Sequence, residues 1–145
     1  MKKIILLLSC IFVMTSMSAQ TSFQELTLEK ALEQAKVENK YVFIDCYTSW
    51  CGPCKMMAEK ILPLKEVGEY MNGKFVCVKF DMEKGEGIDL QKKFDVNAFP
   101  TMFLLNGDGN IIYKILGGRD PRAFMEAIQR GMKQSTPYYI LKSKY

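Results

Sequence analysis

Cys51 and Cys54 stand in the string Trp50-Cys51-Gly52-Pro53-Cys54-Lys55. Two thiols spaced C-x-x-C can close a ring with each other, so the pair can shuttle between dithiol and disulfide. A thiolate is the form that attacks a disulfide. Its formation is favoured at a helix N-terminus, where unpaired backbone N–H groups and the helix dipole attract negative charge. The pattern supplies that setting. The hydrophobic run Tyr41-Val42-Phe43-Ile44 precedes the cysteines and reads as a buried strand, and a helical pattern runs from Lys55 to Leu62. The cysteines therefore sit where a strand hands over to a helix. Two blander chemistries compete. An inert bridge gains little by linking adjacent turns of one helix. A zinc half-site would need four ligands, with Cys46 and Cys77 the only spare thiols. The sequence has no histidine, which excludes Ser-His-Asp, Cys-His and His-ligated metal chemistry.

Asp45 lies within the same apolar run. A charge there is costly, and a buried carboxyl has a raised pKa and can serve as a general base; a plain structural hydrogen-bonding role is the alternative. Trp50 offers a flat apolar wall beside Cys51, with core packing as its alternative. Met56-Met57 is given no role beyond packing, and Gln91-Lys92-Lys93 reads as a solvated face.

The rest of the chain must position these groups. Its 145 residues, 48% apolar and 25% charged, suit one domain with a real core. The first residues differ: Met1-Lys2-Lys3 is basic, Ile4–Met14 is apolar apart from Ser9 and Cys10, and a small polar stretch ends at Ala19. This is the pattern of a secretory signal peptide over residues 1–19, with cleavage between Ala19 and Gln20. The competing reading, a lipoprotein signal at Leu7-Leu8-Ser9-Cys10 with lipid on Cys10, is disfavoured because the apolar run continues past Cys10. Loss of residues 1–19 removes Lys2 and Lys3 and no acid, taking the net charge from +4 to +2. That is too mild to argue for nucleic acid or an anionic membrane as a partner.

In the remaining domain, residues 20–133, a short strand is predicted at Phe23–Leu26. A helix capped by Thr27 follows to about Glu38, then the strand Tyr41–Tyr47. The active-site helix should end near Leu62, before Pro63. Leu64–Met71 should form one or two further helical turns closed by Asn72-Gly73. A strand is predicted over Lys74–Met82, a short helix over Ile88–Phe94, and strands over Pro100–Leu105 and Asn110–Leu116 joined by the turn Asn106–Gly109. Asp120 caps a last helix with Pro121 at its first position, running to about Lys133. Residues 134–145 read as a C-terminal surface extension. The order β-α-β-α-β, hairpin, helix implies a mixed sheet with helices on both faces.

At this point the sequence resembles the thioredoxin family. The string Trp50–Lys55 matches its most diagnostic motif, Asp45 its buried acid, Phe99-Pro100-Thr101 its cis-proline segment, and Gly117-Gly118 the glycine turn near its active site. The resemblance spans about residues 23–133. It implies the thioredoxin fold, an α/β architecture with a central mixed β-sheet of four to five strands and helices on both faces. Departures are Glu59 where the family has a kink proline, a longer Pro63–Gly73 segment, and the export signal.

The resemblance implies roles. Cys51 would be the nucleophile, with a pKa of ~7 as in thioredoxin itself against ~8.5 for free cysteine. Cys54 would be the more buried resolving thiol, and Asp45 would deprotonate it through a water. Trp50, Gly52, Pro53, Phe99, Pro100 and Gly117 would form the substrate surface. Pro100 would be cis, presenting the Phe99 backbone to a substrate strand, rather than a trans proline at a strand start. Lys79 would face the same side as Asp45, as a partly buried charge partner or a snorkelling surface lysine. If so, alternation places Cys77 on that face and Cys46 on the other, so both are expected to be reduced, buried and hydrophobe-like.

No cofactor is expected beyond the redox-active Cys51–Cys54 disulfide, and no metal. Expected partners are disulfide-containing protein substrates and a membrane thiol electron donor, without nucleic acid and without stable membrane insertion after cleavage; a monomer is expected. The location would be exported, periplasmic where the host has an outer membrane. Compartment and motif pull apart on direction: exported sites are usually oxidising, yet Gly-Pro between the cysteines resembles the reducing members. Potentials of ~−270 mV for thioredoxin and ~−120 mV for the periplasmic oxidant differ by ~7 kcal/mol over two electrons, enough to set direction. A reductase is the expectation. A disulfide oxidant or isomerase, or a redox-inert peptide-binding module, are the alternatives.

Overall fold

A computed structural model of the chain describes residues 19–133. The expected signal peptide, except for Ala19, and the expected extension 134–145 lie outside the described residues. The elements run α1 (Leu28–Glu38), β1 (Tyr41–Tyr47), α2 (Gly52–Met56), one π-helical turn (Met57–Ile61), α3 (Lys65–Lys74), β2 (Phe75–Asp81), α4 (Glu86–Lys93), β3 (Thr101–Leu105), β4 (Ile111–Leu116) and α5 (Pro121–Lys133). The four strands form one sheet in the order β2-β1-β3-β4. β1 and β2 are parallel, while β1–β3 and β3–β4 are antiparallel. This is the thioredoxin fold that the sequence implied.

Alternation along the strands builds two cores. Val42, Ile44 and Cys46 pack with Val76, Val78, Phe103 and Leu105 beneath Leu28, Ala31 and Ala35 of α1 and Leu90 of α4. Phe43, Cys77, Met102 and Leu104 pack on the other face with Met57 and Ile61, with α3 through Val67 and Met71, and with α5 through Phe124 and Ile128. Phe43 anchors that second core, with the rings of Phe23, Phe75 and Phe124 at 6.3, 6.4 and 6.1 Å. Cys77 and Cys46 thus fall on opposite faces, buried and free, as parity required.

Local signals hold at several ends. Thr27 accepts from Lys30 N–H at 3.3 Å to cap α1, and Asn39 ends it in the left-handed region. Asp120 accepts from Ala123 N–H at 2.9 Å ahead of Pro121.

Three expectations need correction. The lead segment is not a strand over Phe23–Leu26; it makes a single parallel bridge, Phe23 to Cys77, and Leu26 turns back on Gln24. The helix after Leu64 does not close at Asn72-Gly73 but continues to Lys74. Asn72 spends its side chain elsewhere, accepting from Ser22 N–H and donating to the Gln20 carbonyl, both at 2.8 Å, so it does not terminate the helix. The active-site helix is not regular to Leu62: its second half is π-helical, with Leu62 N–H donating to the Met57 carbonyl five residues back. That turn spans Glu59, the position where the resemblance expects a kink proline.

Since Gly73 lies within α3 and an added Cβ there meets open space, Gly73→Ala is expected to stabilise the protein by roughly 0.5–1 kcal/mol in urea denaturation. A loss of stability would mean the helix ends where the sequence suggested.

Candidate active site

β1 delivers Asp45 to the sheet's end, and the turn after it brings Cys51 to the helix start. Cys51 is extended (φ −75°, ψ 111°) and caps α2; its Sγ accepts from Cys54 N–H at 3.2 Å. Gly52 and Pro53 open the helix, where proline's missing N–H costs nothing because first-turn donors lack partners anyway. Cys51 and Cys54 are joined as a disulfide, with Cα atoms 5.3 Å apart.

The two cysteines are 3% and 4% exposed. Cys54 is therefore not the more buried of the pair. The Cys51 sulfur is bonded to that of Cys54 and accepts the Cys54 N–H over the first helical turn.

Three loops close around the helix start. Phe99–Pro100 is the cis peptide bond that the resemblance implied. The β1–β3 ladder ends at Cys46 and Thr101, so Phe99 lies beyond it. Gly117 takes the left-handed φ of 81° that favours glycine, and its N–H donates to the Pro100 carbonyl at 2.8 Å. A Cβ on Gly118 would lie 3.3 Å from Pro53 Cβ and 3.0 Å from Met56 Cε, and Arg119 N–H donates to Met57 Sδ at 3.3 Å. Trp50 is 65% exposed, so it is not a core residue. Its ring stands edge-on to Phe99 with centroids 5.9 Å apart, and its Nε1–H donates to Glu83 Oε1 at 2.9 Å. Sequence reasoning missed Glu83, Arg119 and the acceptor role of Met57. Glu83 and Arg119 reach the site across long sequence gaps, and Met57 acts through its contact with Arg119 62 residues away, so no local pattern marks them.

Behind the disulfide, a cleft of about 190 Å³ is lined by Asp45, Tyr47, Thr48, Cys54, Lys55 and Lys79 among others. It brings Asp45, Cys54 and Lys79 together. Asp45 is 4% exposed, and its Oδ1 has no hydrogen-bond partner among the described residues. Burial pushes its carboxyl up to about 7, opposed by the positive charge of Lys79. Lys79 is the direct register partner of Asp45, yet it is exposed and forms no contact ion pair with it; of the two readings it is the surface lysine, acting on Asp45 through space. Burial pushes the Cys77 thiol up to about 12. It raises that of Cys46 further, aided by the negative charge of Asp45. Neither thiol forms the reactive anion near neutrality.

The arrangement can run dithiol–disulfide exchange, with an attackable sulfur pair at a helix start and a proton acceptor poised near neutrality behind it. A family model for the thioredoxin-like domain matches residues 28–131. The chain is a member of the thioredoxin-like family. Mitochondrial thioredoxin-3 of Saccharomyces cerevisiae is 35% identical over 116 residues, which is 80% of this chain and 82% of that protein. The solution structure of a candidate disulphide-isomerase from Bacteroides thetaiotaomicron superposes with a TM-score of 0.73 at 38% identity, covering 81% of this chain and 97% of that one. A DsbH oxidoreductase, with a TM-score of 0.65 and 20% identity, shares the fold. The chain is accordingly a thioredoxin-like thiol-disulfide oxidoreductase carrying its redox-active disulfide at Cys51–Cys54.

Because the Asp45 pKa is raised from 3.8 to about 7 on folding, the folded state holds the proton more tightly than the unfolded chain. The carboxyl's effect is neutral below about pH 4, turns unfavourable as pH rises through about 7, and is constant above that. Asp45→Asn is expected to flatten this fall and to exceed the parent protein's stability at about pH 8 by a few kcal/mol, read by thermal unfolding across pH. Parallel stability curves for the two proteins would refute it.

Proposed function

We propose that this oxidoreductase works as a reductase of protein disulfides outside the cytoplasm. The observation that carries the reading is the shared cleft, in which a buried carboxyl titrating near neutrality lines the same space as Cys54. In the proposed cycle the Cys51 thiolate attacks one sulfur of a substrate disulfide. A Cys51–substrate mixed disulfide forms and one substrate thiolate leaves. Cys54 then gives its proton to the Asp45 carboxylate and attacks the Cys51 sulfur. The second substrate thiolate leaves, and the Cys51–Cys54 disulfide closes. Two electrons have passed to the substrate. A membrane dithiol carrier would restore them, being oxidised to its own disulfide.

The exposed Trp50 ring, Phe99, cis Pro100 and the Gly117 turn would take the substrate segment. The Phe99 backbone, free of the β3 ladder, would offer strand-like hydrogen bonds to an extended peptide. Gly52 and Pro53 would keep the helix start open to the incoming sulfur. The Gly-Pro pair between the cysteines and the thioredoxin relatives support the reducing direction. The Bacteroides neighbour, described as a candidate disulphide-isomerase, supports the isomerase alternative. Export rests on the basic, apolar and small-residue pattern of residues 1–19.

Insulin reduction with dithiothreitol as electron source is expected to be catalysed by the parent protein and abolished in Cys51→Ser. Asp45→Asn should be slowed roughly 10²-fold. A measured Cys51–Cys54 potential near ~−270 mV supports the reductase, whereas a value between about −120 and −180 mV would establish the oxidant or isomerase instead. Equal rates for the parent protein and Cys51→Ser would leave only a peptide-binding module.

A further inference from the structure

A second cleft, of about 240 Å³, also reaches Asp45 and Lys79. It is lined by Gln20, Thr21, Phe23, Asp45, Ala58, Leu62, Pro63 and Lys79. Its outer wall is the lead segment, which is fixed at both ends. Thr21 N–H donates to the Leu62 carbonyl at 3.1 Å, and Gln24 N–H to the Cys77 carbonyl at 2.9 Å. Between these bonds Phe23 bridges to Cys77, two residues before Lys79 on the strand facing Asp45. One side of the Phe23 ring rests against Phe43, at 6.3 Å and 51°. The Lys79 Nζ lies 5.6 Å from its centroid, within reach of the ring's negative quadrupole.

We propose that Phe23 is a positioning residue: its ring holds the Lys79 ammonium beside Asp45, and through that charge it sets how readily the carboxyl gives up its proton. Lysine is a point charge on a flexible four-carbon stem, and at an exposed strand position it is free to swing into solvent. Lys79 has no salt-bridge partner among the described residues, so the ring is the contact that localises it. The charge so held is the one that opposes the effect of burial on Asp45.

Other groups around Asp45 do not take this part. α2 contributes the Cys54 thiol, consumed in the disulfide, and Lys55, which also lines the first cleft; the π-turn contributes Ala58. β3 places Met102 opposite, and β1 itself contributes Tyr47 and the protonated Cys46. The lead segment adds only the neutral Gln20, Thr21 and Phe23. The inference deepens the proton-accepting role proposed for Asp45 and rests on that reading for its consequence in turnover.

The test is the Asp45 carboxyl titration, followed by ¹³C NMR in the oxidised protein, which needs no turnover. Phe23→Leu is expected to raise the midpoint, increasing proton affinity about two- to five-fold. Phe23→Tyr keeps a ring and should keep the parent midpoint. In a Lys79→Met background Phe23→Leu should shift nothing further, because the ring acts only through the ammonium. Pentafluorophenylalanine at position 23 keeps the ring's shape and reverses its quadrupole, and should raise the midpoint as leucine does; it decides the matter should the leucine variant fail to fold. An unchanged midpoint in Phe23→Leu or with the fluorinated ring, or an equal shift with and without Lys79, would overturn the proposal. Insulin reduction by the unaltered protein reports separately on the redox reading.

Discussion

Between Asp45 and Cys51 the chain changes from strand to helix, and the chemistry depends on that change. Near the strand end Asp45 is buried, so its carboxyl resists ionisation. The helix start is among the most favourable places for an anion, because its first N–H groups have no partners within the helix. Six residues thus separate a group whose negative charge is disfavoured from one whose negative charge is welcomed. Proton transfer from thiol toward carboxylate near neutrality becomes feasible because these two environments are adjacent. A strand without the turn, or a helix without the buried strand, would supply only half of it.

The surroundings keep that junction rigid. The π-helical turn spans Met57–Ile61, and the sulfur of Met57 at its start accepts from Arg119 N–H. The Gly117–Arg119 turn is thereby tied to the active-site helix, and through Gly117 to Pro100. Trp50, although exposed, is held at two points, by Glu83 on its nitrogen and by Phe99 on its ring. The loops around the sulfurs are braced against one another, so a substrate segment would meet a preformed surface.

Much of this was legible in the sequence where one local cause decides structure. The stretches Tyr41–Ile44 and Phe75–Val78 are continuously apolar and suit buried strands, and Thr27, Asp120 and Pro121 mark helix starts through their own side chains. Alternation alone sorted Cys46 from Cys77 once Lys79 and Asp45 shared a face. What was not legible depends on distant partners. Asn72 looked like a helix stop until its amide proved committed to Gln20 and Ser22, some 50 residues away. Glu83 gave no sign that it holds Trp50. The nearly equal burial of Cys51 and Cys54 in the closed disulfide is not something that spacing encodes.

The central claim is that the helix start makes Cys51, alone of the described cysteines, an anion near neutrality once the disulfide is reduced. Alkylation of the fully reduced protein against pH, mapped to individual cysteines by mass spectrometry, tests it most directly. Cys51 is expected to react first, reaching half its maximal rate near pH ~7, while Cys46 and Cys77 stay unmodified in the folded chain. A Cys51 profile rising only around the ~8.5 of an unperturbed thiol, or preferential reaction at Cys54, would contradict it.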